Sequence, residues 1–182
     1  MKVEAHVNGT VISRTAILRA IENEGKKEYD EEHLSLSDYE IEHVKGVIGD
    51  YALLPEDSDT PLKEQTWEGT VLLIPPRSDV FPYVLHLRER FDFISEAIVV
   101  VPIDVIGRWF SNLASMSNAV FYKTRVIVKA MDSEDEVNTK DSYAFFYIGK
   151  NAGDFLEAYK LDGWGHTINK VVTGSIPMRL KK

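Results

Sequence analysis

This sequence predicts an α/β domain with a mostly parallel, twisted sheet and helices on both faces, and three observations carry that prediction. Runs that are apolar on both faces, clearest in AIVVV at 97–101 and TVLLI at 70–74, have the composition of interior parallel strands. Segments with apolar residues at helical spacing fall between them, so strands and helices alternate along the chain. A length of 182 residues with 44% hydrophobic content suffices for one domain, 1–182, with a full core.

Taken in order, residues 3–7 read as a short strand, and 15–21 as a helix carrying Ile17, Leu18 and Ile21 after the cap Ser13. Residues 33–37 alternate with period two, as a strand does, and Asp38 then caps a short helix through Gly46. A second strand falls at 51–54. The run 70–74 is a central strand that Pro75 and Pro76 must stop, since neither can donate to a sheet ladder. Residues 79–91 place Val80, Val84, Leu87 and Phe91 at helical spacing, with Pro82 tolerated in the first turn. The strand at 97–101 follows, then Asp104 as cap of a helix through Leu113. Residues 119–122, 125–130 and 143–148 read as strands separated by an acidic loop. Residues 152–161 form a helix punctuated by Gly163, and 164–168 a closing strand.

Composition removes several classes of function. The chain has no cysteine, which excludes disulfides, thiolate zinc sites and a cysteine nucleophile and suits a reducing compartment. Charge near Met1 and the lack of any run approaching about 18 apolar residues lead to the expectation of a soluble, cytoplasmic protein without a membrane partner. The formal net charge of −8 argues against the basic footprint with which DNA binders neutralise phosphates, which leaves DNA binding an open question. Acidic runs at 30–32, 56–59 and 132–136 read as solvated loops, with DNA mimicry as the alternative. His6, His33, His43, His86 and His166 show no paired metal-ligand spacing, so no metal site is expected. The aromatic sets Trp109–Phe110, Phe121–Tyr122 and Phe145–Phe146–Tyr147 read as packing, with Tyr122 and Tyr147 facing outward as a patch suited to a protein partner. Lys150 and Asn151 read as a loop before a helix, with ligand contact at the carboxyl edge of the sheet as the alternative.

Several strings carry a family resemblance when taken together in order. They are WEGTV at 67–71 with Pro75 and Pro76, AIVVVP at 97–102 followed by Arg108, Trp109 and Phe110, NAVFY at 118–122, and YAFFYIGKN at 143–151 with Phe155, Gly163 and Trp164. Through these, residues 33–168 resemble the phage-type, Dam-like DNA N6-adenine methyltransferases; residues 1–32 match weakly and 169–182 form a tail. The resemblance implies a Rossmann-like methyltransferase fold, phage or prophage origin, action in the cytoplasm of a bacterial host, and S-adenosylmethionine as cofactor. The catalytic frame, which in that family offers Asn or Asp, two prolines and an aromatic ring, stands here as Ile74, Pro75, Pro76 and Arg77. The cofactor strand, where the family alternates aliphatic and aspartate residues, stands as Leu34, Ser35, Leu36 and Ser37, with Asp38 either a shifted remnant or a helix cap. The family's early Trp and Thr-Pro pair has no counterpart in residues 1–30, and its Gly-Arg-Ile signature is Thr124, Arg125 and Val126.

These departures fall on chemistry positions, whereas the core positions are kept. An adenine amine is a weak nucleophile that must be oriented and relieved of charge as a methyl group arrives, and lost positioning and electrostatic terms each cost orders of magnitude in rate. Isoleucine has no lone pair to offer at position 74. Arg77 is expected to pair with Asp79 at the surface, with stacking on a base as the alternative. The leading expectation is a catalytically inactive, methyltransferase-like protein that binds a protein partner, a phage or host DNA-processing protein, and needs no cofactor. The alternatives are a divergent, active S-adenosylmethionine-dependent enzyme that uses the Pro75 carbonyl, and an acidic anti-restriction decoy.

Overall fold

The computed structural model describes residues 28–55, 59–104 and 107–168, with the backbone of 5–7 and 10–12. The helix expected at 15–21 and the tail at 169–182 lie outside the described residues. Two short strands, β1 (Ala5–Val7) and β2 (Thr10–Ile12), pair antiparallel. The body of the chain is α/β, built on a six-stranded sheet.

That sheet contains β3 (Ala52–Leu54), β4 (Gly69–Leu73), β5 (Ile94–Pro102), β6 (Ala119–Lys123), β9 (Tyr143–Ile148) and β10 (Trp164–Thr167) in the spatial order β10-β6-β9-β5-β4-β3. β3, β4 and β5 are parallel neighbours, whereas β9 runs antiparallel to both β5 and β6, and β10 runs antiparallel to β6. The expected mostly parallel sheet is therefore corrected to a mixed one. The reason is physical: β9 is buried on both faces, and such a strand has the same apolar composition whichever way it runs. A second departure is the hairpin β7 (Ile127–Lys129) and β8 (Glu136–Asn138), which stands outside the main sheet and takes in part of the segment expected to be an acidic loop.

Period-two alternation sorts the strand residues into two apolar layers. Val71, Leu73, Ala97, Val99, Val101, Ala144, Phe146 and Ile148 face one side, where helices α2 (Val80–Glu89) and α3 (Arg108–Met116) supply Val84, Leu87, Leu113 and Met116. Leu72, Ile98, Val100, Tyr143, Phe145 and Tyr147 face the other, covered by α1 (Asp38–Ile48) and α4 (Ala152–Tyr159) through Val44, Ile48, Phe155 and Tyr159. Helices thus cover both faces, as the sequence predicts.

The ends of the elements follow local chemistry. Ser37, not Asp38, caps α1: its hydroxyl accepts from the Glu40 amide at 3.3 Å, and Asp38 is the first helical residue. Gly49, at a φ of 68°, closes that helix with a backbone bond to the Lys45 carbonyl. Asp104 does not cap a helix either, because α3 begins at Arg108 and the Asp104 carboxylate instead accepts from the Gly107 amide at 3.2 Å. Pro82 sits in the first turn of α2, where no amide is required. The helix expected at 152–161 stops at Tyr159. Gly163 does more than punctuate it, since a methyl group there would run into the Tyr122 carbonyl oxygen, and this close approach docks the start of β10 onto β6.

Candidate functional site at the carboxyl ends of the parallel strands

β4 ends where Pro75 and Pro76 can no longer donate, and the chain turns through a short 3-10 segment, Arg77–Asp79, into α2. Beside it β5 runs to Pro102, and the Ile103 amide still donates to the Ser142 carbonyl at 3.1 Å. Between the β4–α2 turn and this strand end opens a cavity of about 390 Å³, lined by residues 77–81 on one side and by 102–104 with Trp109 on the other. Its position outside the carboxyl ends of adjacent parallel strands is where open α/β sheets hold ligands.

The catalytic frame named by the resemblance borders this cavity, but only Arg77 of its residues lines it. Ile74 continues the ladder, its amide donating to the Leu54 carbonyl at 3.0 Å, and its half-buried side chain packs into the layer beneath α1. Pro75 is buried. Arg77 pairs with Asp141 at 2.5 Å rather than with Asp79 as expected, because the β8–β9 connection brings Asp141 over the turn. That bond holds the guanidinium's pKa above its ordinary value, although both groups are partly solvated and the pair is weak as a source of stability.

An N-terminal segment straps the same turn. The Arg77 amide donates to the Glu32 carbonyl at 3.0 Å, and the Ser78 hydroxyl and amide both donate to the Glu32 carboxylate. The hydroxyl bond to Ser78 holds the Glu32 carboxyl below the usual range. Lys140 binds Glu31 at 2.6 Å, and the Tyr29 hydroxyl accepts from the Lys140 amide at 2.9 Å. Beneath this strap the Tyr143 hydroxyl is buried without a hydrogen-bond partner; burial pushes it up to about 12 against the opposing pull of Arg77.

The residues assigned to the cofactor strand are placed differently from expectation. The stretch 33–37 makes a single bridge, Leu36 to Val128, and is not a strand of the main sheet. Ser35 accepts from the Lys129 amide through its carbonyl at 2.8 Å, Ser37 is fully buried as the cap of α1, and the Asp38 carboxylate pairs with Lys129 at 3.1 Å. The hairpin thus captures the stretch, and these three residues serve local structure. They do not fit the charged, sheet-borne cradle that the resemblance implies for S-adenosylmethionine, and no step through that group follows from them.

A cluster that the sequence did not reveal lies at the same end of the sheet, against α1. Lys123, at the end of β6, is 3% exposed and meets the fully buried Glu40 carboxylate at 2.6 and 2.8 Å. Glu40 also accepts from the Ile127 amide at 3.1 Å, tying the hairpin to α1, and Asp162 lies 3.4 Å from the Lys123 ammonium. Three rings, of Tyr39, Phe145 and Tyr159, surround that ammonium at 5.7–5.8 Å. The contacts join residues 83 positions apart in the chain, and no local pattern signals such a pairing.

Other expectations divide. Tyr147 is fully buried, its hydroxyl donating to Glu96, so it contributes to no outward patch. The reason is that both faces of β9 are covered. Tyr122 does lie toward the surface, its ring tilted against that of Trp164 at 4.4 Å, and Trp164 is 63% exposed. Lys150 and Asn151 follow an antiparallel strand and therefore lie beside the amino end of β5, away from the cavity. His86 is buried edge-on against Trp67 at 4.6 Å, and the Trp67 indole donates to Gln65 at 3.1 Å, so both support the core. Among the described residues no group of three or more His, Cys, Asp or Glu is placed to hold a metal ion, and no helix is long and apolar enough to cross a membrane. No family model, curated protein or solved structure matches this chain.

Proposed function

We propose that this protein is a catalytically inactive relative of the phage-type DNA adenine methyltransferases that acts in the bacterial cytoplasm by binding a protein partner. A mixed α/β sheet covered on both faces, with a cavity at the carboxyl ends of its parallel strands, is compatible with a Rossmann-like scaffold. The observation that best supports this reading is the side chain of Ile74, which packs into the apolar layer beneath α1. An aliphatic group turned inward neither orients an adenine amine nor accepts charge from it. Arg77 is held by Asp141, and this supports the reading that the turn has been turned over to structure.

Two measurements test the proposal. Calorimetric titration with S-adenosylmethionine is expected to show no binding, and tritiated methyl transfer to DNA is expected to stay at background with folded protein. Tight cofactor binding counts against the proposal, and incorporation that disappears in a Pro76→Ala variant establishes the enzyme instead.

A further inference from the structure

The cavity between the β4–α2 turn and the end of β5 has a chemistry of its own. One wall carries the ring of Phe81, 41% exposed, and the facing side carries Ile103 and the Trp109 indole. Gly107 makes that indole available in its observed pose: a Cβ at 107 would lie 2.7 Å from Trp109 Nε1 and 3.1 Å from the Asp104 carboxylate, so only glycine lets both groups crowd the same corner. The second carboxylate, Asp79, stands at the start of α2 without a capping bond from its side chain. Among the described residues lining the cavity Arg77 is the one cation, and Asp141 neutralises it from outside. The walls therefore combine aromatic faces with net negative charge on a protein whose total charge is already −8.

Two carboxylates beside exposed aromatic faces suit a cation with a flat, weakly hydrated head. A guanidinium stacks on an indole and accepts a carboxylate in fork geometry, and its aliphatic stem covers apolar wall. A cavity of about 390 Å³ has room for one long side chain and part of its neighbour. We propose that this cavity is the docking site for an arginine side chain presented by a basic segment of the partner protein. This deepens the binding role inferred above and rests on it for the existence of a partner.

The test uses the full chain and a fluorescein-labelled peptide with a central arginine between leucines, followed by anisotropy. Replacing the arginine by citrulline keeps shape and hydrogen bonding but removes charge, and is expected to weaken binding at least tenfold. The protein variant Asp79→Asn, at an exposed position, is expected to weaken the arginine peptide by a similar factor and leave the citrulline peptide unchanged. Trp109→Leu, with folding checked by circular dichroism, is expected to abolish binding of both. The proposal is overturned if neither peptide binds, if citrulline equals arginine, or if a short DNA duplex binds and is lost in Trp109→Leu. None of these results alters the cofactor titration, so failure here and failure of the inactive-enzyme reading are separable.

Discussion

Replacing Lys123 by methionine isolates the energetics of the cluster at the end of β6. The substitution keeps the length of the stem and removes the charge, leaving the fully buried Glu40 with the Ile127 amide as its remaining close donor. Breaking a buried pair by removing one partner costs about 3–5 kcal/mol, because the other charge stays desolvated without compensation. At about 2–4 °C per kcal/mol for a chain of this size, Lys123→Met should lower Tm by roughly 6–20 °C. The double variant Glu40→Leu with Lys123→Met should recover most of that loss, short by about 1 kcal/mol for the Ile127 amide that no longer has its acceptor. Thermal unfolding followed by circular dichroism measures all three proteins. A Tm drop of less than about 3 °C in the single variant would show that water reaches Glu40, and the reasoning from burial would fall.

Ile74→Asn should restore no methyl transfer in the tritium assay and should destabilise the protein by about 1–2 kcal/mol in urea, because a polar group replaces a side chain in an apolar layer. The raised pKa of Tyr143 is caused chiefly by burial, so its neutral form is favoured in the folded state. Its contribution to stability should accordingly be complete below pH 10 and be lost as pH rises toward about 12, visible as a falling Tm in step with tyrosinate absorbance. Tyr143→Phe should lessen that fall without abolishing it, since burial raises Tyr147 and Tyr159 as well, and should leave stability at neutral pH unchanged or higher by up to about 1 kcal/mol, because the hydroxyl it removes has no partner. Gly163→Ala should cost about 1–3 kcal/mol by forcing β10 away from the Tyr122 carbonyl, and a wild-type denaturation midpoint would argue against that contact.

Much of the architecture was legible because burial writes itself into composition. The run at 97–101 and the stretch 143–148 are apolar on both faces and proved central, and Val80, Val84 and Leu87 marked the buried side of their helix. Strand direction was not legible, since the ladder partners of Phe145 are set by topology and a residue covered above and below gives no hint of which way its chain runs. Period-two alternation at 33–37 misled for a related reason: the stretch lies extended against β7 and makes backbone bonds to it, without joining the main sheet. At the candidate site, the Pro75–Pro76 stop and the turn after it were visible. The partner of Arg77 was not, because Asp141 is 64 residues away and Asp79 only two. The ion pair between Glu40 and Lys123 was hidden in the same manner, each residue reading alone as an ordinary surface charge.

The position of β9 between β5 and β6 bears on how the protein is made. A nascent chain that has emerged only as far as the β7–β8 hairpin carries two strands whose inner edges await an insert not yet translated. Exposed strand edges are templates for pairing with other chains, and non-local pairings form slowly. Synthesis on the ribosome should therefore pass through a split-sheet stage that chaperones shield, and any fragment ending before Tyr143 should accumulate as aggregate.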